Sequence, residues 1–85
     1  MYILYDPIEK VAYTGRWTNN VKYWESNLDW AKIFQTEAAA KGKRTSNGTV
    51  GHLKYHNPIP EYMKDKIDQF DRAEIREVKT TVEFV

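Results

Sequence analysis

The chain has 85 residues, a length that accommodates one hydrophobic core and leaves no room for a second domain. It contains no cysteine, which excludes disulfide bonds, thiolate catalysis and the cysteine-based structural zinc sites. Aromatic residues make up 14% of the sequence, enough to build a compact core without a metal or a disulfide. We therefore predict a single domain spanning residues 1–85 that needs no cofactor.

The net charge is only +1, but the charged residues are unevenly distributed. Residues 38–60, which we define as the basic segment, contain no Asp or Glu, while the segments on either side are slightly acidic. The cations of the basic segment are Lys41, Lys43, Arg44 and Lys54. Such a segment favours contact with a negatively charged partner.

The first predicted element is a β-hairpin. Residues 2–5 and 11–13 are short apolar runs, and the polar connection between them begins with Asp6 and Pro7. Asp-Pro is typical of a turn, so the two runs are predicted to pair as strands. Gly15 is predicted to end the second strand.

The next part of the chain has two interpretations. Residues 21–24 are predicted to form a brief strand or a turn, Ser26 or Asn27 to cap a short helical turn, and residues 32–35 to return to strand. A continuous helix over residues 27–43 is the competing interpretation. We prefer the break, because that helix would spread Ile33 and Phe34 over different faces.

A helix is predicted to begin after Thr36, because threonine can cap a helix and three alanines follow closely. Gly42 weakens this helix, and residues 45–49 are predicted to form a loop. The cations are therefore expected at a helix C-terminus and in the loop after it. Residues 50–56 alternate loosely and are predicted to form a strand.

The C-terminal part is predicted to contain a helix over residues 61–70 and a final strand within residues 74–85. In the strand, residues of one parity form an apolar or β-branched face: Val78, Thr80, Val82 and Phe84. The predicted fold class is α+β, with a small mixed or antiparallel sheet and two main helices packed on one face.

No enzyme signature is present, so we predict a binding protein with no catalytic residue. On the predicted strand, His52, Lys54 and His56 would share one face and could form an acid-base cluster. No third activating group can be located by spacing. A metal site would likewise need a further ligand that the sequence does not identify, so no metal is expected.

The basic segment is the main candidate site. Its cations can contact phosphates, and its rings can stack on unpaired bases, a combination that favours single-stranded RNA. The alternative is a solvated loop whose charges only maintain solubility. The residues predicted to bind RNA or a partner are Lys41, Lys43, Arg44, His52, Lys54 and Tyr55.

The three tryptophans, Trp17, Trp24 and Trp30, are mainly expected in the core or at its edge. Trp24 is the one predicted to be exposed, where it would anchor a protein interface. This supports an alternative function, a protein-protein inhibitor of the anti-CRISPR or anti-restriction type that acts through an aromatic surface without nucleic acid.

Three strings resemble a pattern found in small accessory proteins of tailed phages: YILY at residues 2–5, VAYTG at residues 11–15 and WAKIFQT at residues 30–36. With the chain length and the cluster of Lys41, Lys43 and Arg44, the pattern is most similar to the TifA family, phage inhibitors of the ToxN endoribonuclease. The resemblance implies a counter-defence protein that binds and inhibits a host RNA-processing toxin, with RNA in the complex. The three basic residues would take part in that inhibition.

The predicted location is the cytoplasm of the host cell. The first residues lack the regions of a signal peptide, and no apolar run approaches the roughly 20 residues needed to cross a bilayer. We therefore expect a host protein as partner, RNA as a possible second partner and no membrane contact. The sequence leaves the oligomeric state open.

Overall fold

The structure is a computed structural model that describes residues 1–16, 18 and 20–79. These residues form an antiparallel sheet with strand order β3-β2-β1-β4 and three α-helices. The strands are β1 (Tyr2–Asp6), β2 (Val11–Tyr13), β3 (Trp24–Glu25) and β4 (Glu74–Glu77). The helices are α1 (Glu37–Asn47), α2 (Thr49–His52) and α3 (Lys64–Arg72), with 3-10 turns at Leu28–Trp30 and Glu61–Met63. The predicted α+β class is confirmed.

The predicted hairpin is confirmed. Strands β1 and β2 pair with Tyr5 opposite Ala12, and Lys10 closes the turn with a φ of 59°. The N–H of Lys10 donates to the Asp6 carbonyl at 2.8 Å. Gly15 follows β2 with a φ of 70°, a left-handed conformation that glycine adopts without a steric penalty.

The predicted break before α1 is also confirmed, and the continuous helix is not formed. Asn27 caps the first 3-10 turn, since its side chain accepts from the N–H of Asp29 at 3.0 Å. The predicted strand over residues 32–35 is not formed; only Phe34 forms a bridge to the sheet, where it exchanges two backbone hydrogen bonds of 2.8 Å with Tyr2 of β1. Thr36 then caps α1 by accepting from the N–H of Ala39 at 3.1 Å.

The sheet buries side chains on both faces, because successive residues of a strand point to opposite sides. Leu4 packs on the side of α1 and α3, and Ile3 packs on the other side; both are fully buried, which contributes about 1.5 to 3 kcal/mol each. The helix-side cluster includes Leu4, Tyr13, Phe34, Ala40 and Ala73, with Phe70 packed against it. The opposite cluster includes Ile3, Ala12, Ala31 and Val78, with Leu28 and Ile33 against it. The two main helices therefore cover one face, as predicted.

The predicted loop over residues 45–49 is wrong, because α1 continues through Gly42 to Asn47. Arg44 stabilises this last turn, since its Nη1 donates to the carbonyl of Ala73 at 3.1 Å, directly before β4. This tertiary contact outweighs the low helix propensity of Gly42. The basic residues 41, 43 and 44 are consequently all on a helix.

The predicted strand over residues 50–56 is also wrong, because residues 49–52 form α2 and a turn follows. The helix begins where Asp71 of α3 accepts from the N–H of Thr49 at 2.9 Å and from its hydroxyl at 2.5 Å. Gly51 lets α2 pack on the end of α1: a Cβ on it would lie 2.1 Å from the carbonyl oxygen of Ser46. The turn from α1 into α2 thus depends on contacts from elsewhere in the chain.

The C-terminal helix is confirmed, with a 3-10 turn at its start. Val78 is buried after β4, whereas Thr80, Val82 and Phe84 lie outside the described residues, as does Trp17. None of the described helices is both long and apolar enough to cross a bilayer.

Candidate nucleic-acid interface

A cleft of about 870 Å³ lies between α1, α3 and the strands β2 and β3. Aromatic residues from three of these elements and from the loop before β3 line it: Tyr13, Tyr23, Trp24 and Phe70. Basic residues from four parts of the chain also line it: Lys22, Lys43, His52 and Lys66. The size is within the range of small-ligand clefts, and the lining suits a ligand with both flat rings and negative charge.

The aromatic part of the cleft is a packed cluster of rings. The ring centroids of Tyr13, Trp24 and Phe70 lie 5.2 to 5.6 Å apart, with the rings inclined to one another by 60° to 68°. Tyr23 stacks parallel to Tyr13 at 6.3 Å and has 48% of its surface exposed. Burial, with a smaller contribution from Tyr23, raises the pKa of the Tyr13 hydroxyl. The cluster is therefore a rigid aromatic floor with an exposed ring beside it.

The prediction that Trp24 is exposed is wrong. Its ring packs against Tyr13 and Phe70, so it is partly buried in the cleft floor. Trp30, at 38% exposure, is the more accessible of the two tryptophans that the structure describes. Sequence reasoning missed this because the partner Phe70 comes from α3, distant in the chain.

Lysines outnumber acids in the lining of the cleft. Among the described residues, the ammonium groups of Lys22, Lys43 and Lys66 form no hydrogen bond or ion pair. The acid that lines the cleft, Glu9, is already engaged: its carboxylate accepts from Gln69 Nε2 at 2.9 Å and lies 3.8 Å from Arg72 Nη2. The three ammonium groups are thus available to an anionic ligand.

The structure brings two of the predicted site residues, Lys43 and His52, into the cleft. Lys41 is exposed on α1 outside the cleft, and Arg44 is held by the carbonyl of Ala73. Lys54 and Tyr55 are exposed in the turn after α2 and do not line the cleft.

Lys22 and Lys66 are cleft residues that sequence reasoning missed. Each has an aromatic neighbour that could have indicated its role. Lys22 directly precedes Tyr23 and Trp24, and Lys66 lies four residues before Phe70, on the same face of α3. A lysine next to a ring on the same surface is the local pattern of a stacking site with a phosphate contact.

The histidine pair has a different geometry from the one predicted. The N–H of His56 donates to the carbonyl of His52 at 2.8 Å, so the two residues are one helical turn apart and not on a strand. Their rings stack with centroids 6.0 Å apart. The predicted shared face with Lys54 is therefore not formed. Among the residues described, no group of three His, Asp or Glu side chains could hold a metal ion.

One buried acid positions the edge of the cleft. Asp6 is fully buried, and Arg72 donates to both of its carboxylate oxygens, at 3.0 and 2.8 Å. Burial alone would raise the pKa of Asp6, but hydrogen bonds from Arg72, Gln69 and the N–H groups of Ile8 and Glu9 outweigh it and lower the pKa to about 2. This network, which we call the Asp6 cluster, ties α3 to the hairpin and fixes Gln69 at the cleft.

The cleft thus combines a packed aromatic floor, three ammonium groups that have no partner among the described residues, and two side-chain amides, Asn47 and Gln69. No family model matches the chain, and no curated protein and no solved structure matches it.

Proposed function

We propose that this protein binds single-stranded RNA in the cleft. The observation that carries the proposal is the joint presence of the aromatic floor and the unpaired ammonium groups of Lys22, Lys43 and Lys66. Lysines bind phosphates, while aromatic rings stack on bases that have left a helix. A duplex keeps its base faces covered, so the lining favours a single strand.

The biological role that we propose follows from the resemblance to phage accessory proteins. The protein acts in the host cytoplasm as a counter-defence factor and inhibits a host RNA-processing toxin of the ToxN type. RNA held in the cleft would form part of the inhibited complex. The cleft supports the RNA part of this role, and the resemblance supports the choice of toxin.

The test is a titration of a labelled single-stranded RNA, followed by fluorescence anisotropy at several salt concentrations. Lys43→Glu should weaken binding about tenfold or more and make the logarithmic salt slope shallower by about 1, because a phosphate contact is lost. Lys41→Glu is the matched control: it makes the same charge change on the same helix, but outside the cleft. Equal losses in the two variants would show that only the overall charge matters and would contradict the cleft as the site.

A second candidate function is inhibition of a protein partner without nucleic acid. Three large apolar side chains within residues 50–55 are exposed: Val50 at 63%, Leu53 at 46% and Tyr55 at 83%. Isolated exposed apolar residues are common, but three so close together favour a protein interface. This apolar patch takes the place of Trp24 in the predicted aromatic interface.

The two functions differ in their response to ribonuclease and salt. Inhibition through the apolar patch should survive ribonuclease treatment, change little with salt and be weakened by Leu53→Glu. Inhibition through the cleft should be lost on ribonuclease treatment and should tolerate Leu53→Glu. The assay is capture of the purified toxin by this tagged protein, with and without ribonuclease and at several salt concentrations, so that the readout contains no RNA substrate.

A further inference from the structure

Two side-chain amides line the cleft, and each uses its NH2 group inside the protein. Gln69 Nε2 donates to the carboxylates of Asp6 at 3.0 Å and Glu9 at 2.9 Å. Asn47 Nδ2 donates to the carbonyl oxygen of Lys43 at 3.0 Å and to Ser46 Oγ at 3.2 Å. A rotation of either amide by 180° would place its oxygen against another oxygen atom. The orientation of both amides is therefore fixed by their partners.

The oxygen atoms of the two amides are left for a ligand. Neither Oε1 of Gln69 nor Oδ1 of Asn47 accepts a hydrogen bond from a described residue. Both side chains are partly exposed, and among the described residues no buried side-chain oxygen or nitrogen lacks a partner. Both amide oxygens therefore reach solvent, and both can act only as acceptors.

We propose that the cleft selects bases that carry an exocyclic amino group. This inference rests on the proposed RNA binding and concerns its specificity. The amino groups of adenine, cytosine and guanine can donate to the oxygens of Gln69 and Asn47, whereas the O4 atom of uracil is itself an acceptor. A uracil that turns position 4 toward either amide, as cytosine does to donate from its amino group, would leave two oxygens facing each other without a hydrogen. A site built to accept from a donor disfavours a ligand that lacks it.

The decisive comparison is between cytosine and uracil, because their rings are equal in size and differ only at position 4 and in the hydrogen that uracil carries on N3. Oligomers of about eight nucleotides fit the usual site size of a stacking groove. Oligo(C) should bind the wild-type protein about tenfold more tightly than oligo(U) in an anisotropy titration, as expected for one added hydrogen bond. Equal affinities for the two would overturn the inference while leaving RNA binding intact. Binding of neither oligomer would overturn both proposals.

A change in the RNA tests the inference without changing the protein. In an oligomer of 2-pyrimidinone ribonucleotides, a hydrogen atom replaces the amino group of cytosine. This oligomer should lose the advantage of oligo(C) and bind about tenfold more weakly than it. If it binds as tightly as oligo(C), the amino group is not recognised and the inference fails.

A pair of variants then locates the acceptor. Asn47→Ala should lower the ratio of oligo(C) to oligo(U) affinity about threefold or more, because one of the two amide oxygens is removed. Ser46→Ala is the matched control: it removes a partner of Asn47 Nδ2 but keeps Oδ1, so the ratio should not change. Circular dichroism establishes that both variants retain α1. An unchanged ratio in Asn47→Ala together with Gln69→Met would contradict recognition by these oxygens.

Discussion

Helix α3 contributes side chains to two polar groups that differ in their partners inside the protein. In the Asp6 cluster, Arg72 and Gln69 satisfy a fully buried carboxylate with hydrogen bonds of 2.8 to 3.0 Å. In the cleft, Lys66 has no partner among the described residues, and neither have Lys22 and Lys43. A charge that is compensated inside the protein contributes to folding, whereas unpaired cations beside a rigid aromatic surface are suited to an external anion. The same helix thus has a structural end and a binding face.

The largest expected effect is on the structural side. Arg72→Met should lower the free energy of unfolding by about 3 kcal/mol or more, because it leaves the carboxylate of Asp6 buried without a cation. Urea denaturation at neutral pH measures this change. Lys64→Met removes the exposed ion pair with Glu61 and is the control, with an expected loss below about 1 kcal/mol. Similar losses in both variants would mean that the Asp6 cluster contributes no more than a surface pair.

The pH dependence of stability is expected to come next in size. The pKa of Asp6 is lowered from 3.8 to about 2 in the folded protein, so the unfolded chain binds the proton first as the pH falls. The stabilisation is therefore complete at neutral pH and is lost between about pH 5 and pH 2. It amounts to about 2.5 kcal/mol, from 1.36 kcal/mol per pKa unit. Urea midpoints across this range measure it.

Asp6→Asn provides the control for the pH experiment. The variant should be less stable than wild type at neutral pH, because Arg72 loses its carboxylate partner. Its stability should fall less steeply between pH 5 and pH 2, because the group that titrates is gone. Equal slopes for the variant and the wild type would assign the acid sensitivity to other carboxylates.

Two glycines differ in the same respect: Gly51 lies at a close contact between helices, and Gly42 lies on an open surface. Gly51→Ala should destabilise the protein by about 1 to 3 kcal/mol, because the new Cβ would lie 2.1 Å from the Ser46 carbonyl oxygen and α2 would have to move. Gly42→Ala meets no atom within 4 Å and should stabilise α1 by about 0.5 to 1 kcal/mol. Thermal denaturation of both variants checks the signs. A stabilising Gly51→Ala would contradict the close packing of α2 on α1.

What could be predicted from the sequence were the elements with local signals. The Asp-Pro turn, the Asn27 cap and the Thr36 cap all depend on residues a few positions apart, and each was confirmed. The predictions for the end of α1 and for the whole of α2 were wrong, because the residues that determine these elements lie far away in the sequence. Arg44 contacts the carbonyl of Ala73, 29 residues later, and Thr49 is capped by Asp71, 22 residues later.

The candidate site was predicted only in part for the same reason. The charge distribution placed Lys43 and His52 in the basic segment, but the cleft is assembled by the packing of α3 against the sheet. This packing brings Lys22 and Lys66 into the lining of the cleft and partly buries Trp24. The charge pattern of one segment could indicate neither result. The structure places Lys41, Lys54 and Tyr55 at the surface outside the cleft. The predictions that these residues bind RNA stay untested.

The smallest effect on stability is expected for Lys66→Met, which makes the same kind of substitution as Arg72→Met on the same helix. Lys66 is exposed and has no partner among the described residues, so the free energy of unfolding should stay within about 0.5 kcal/mol of wild type. Affinity for single-stranded RNA should nevertheless fall about three- to tenfold, because one phosphate contact is lost. Denaturation and anisotropy on the same preparation separate the two quantities. A variant that loses stability but not affinity would place Lys66 with the Asp6 cluster and remove the division of α3 into a structural end and a binding face.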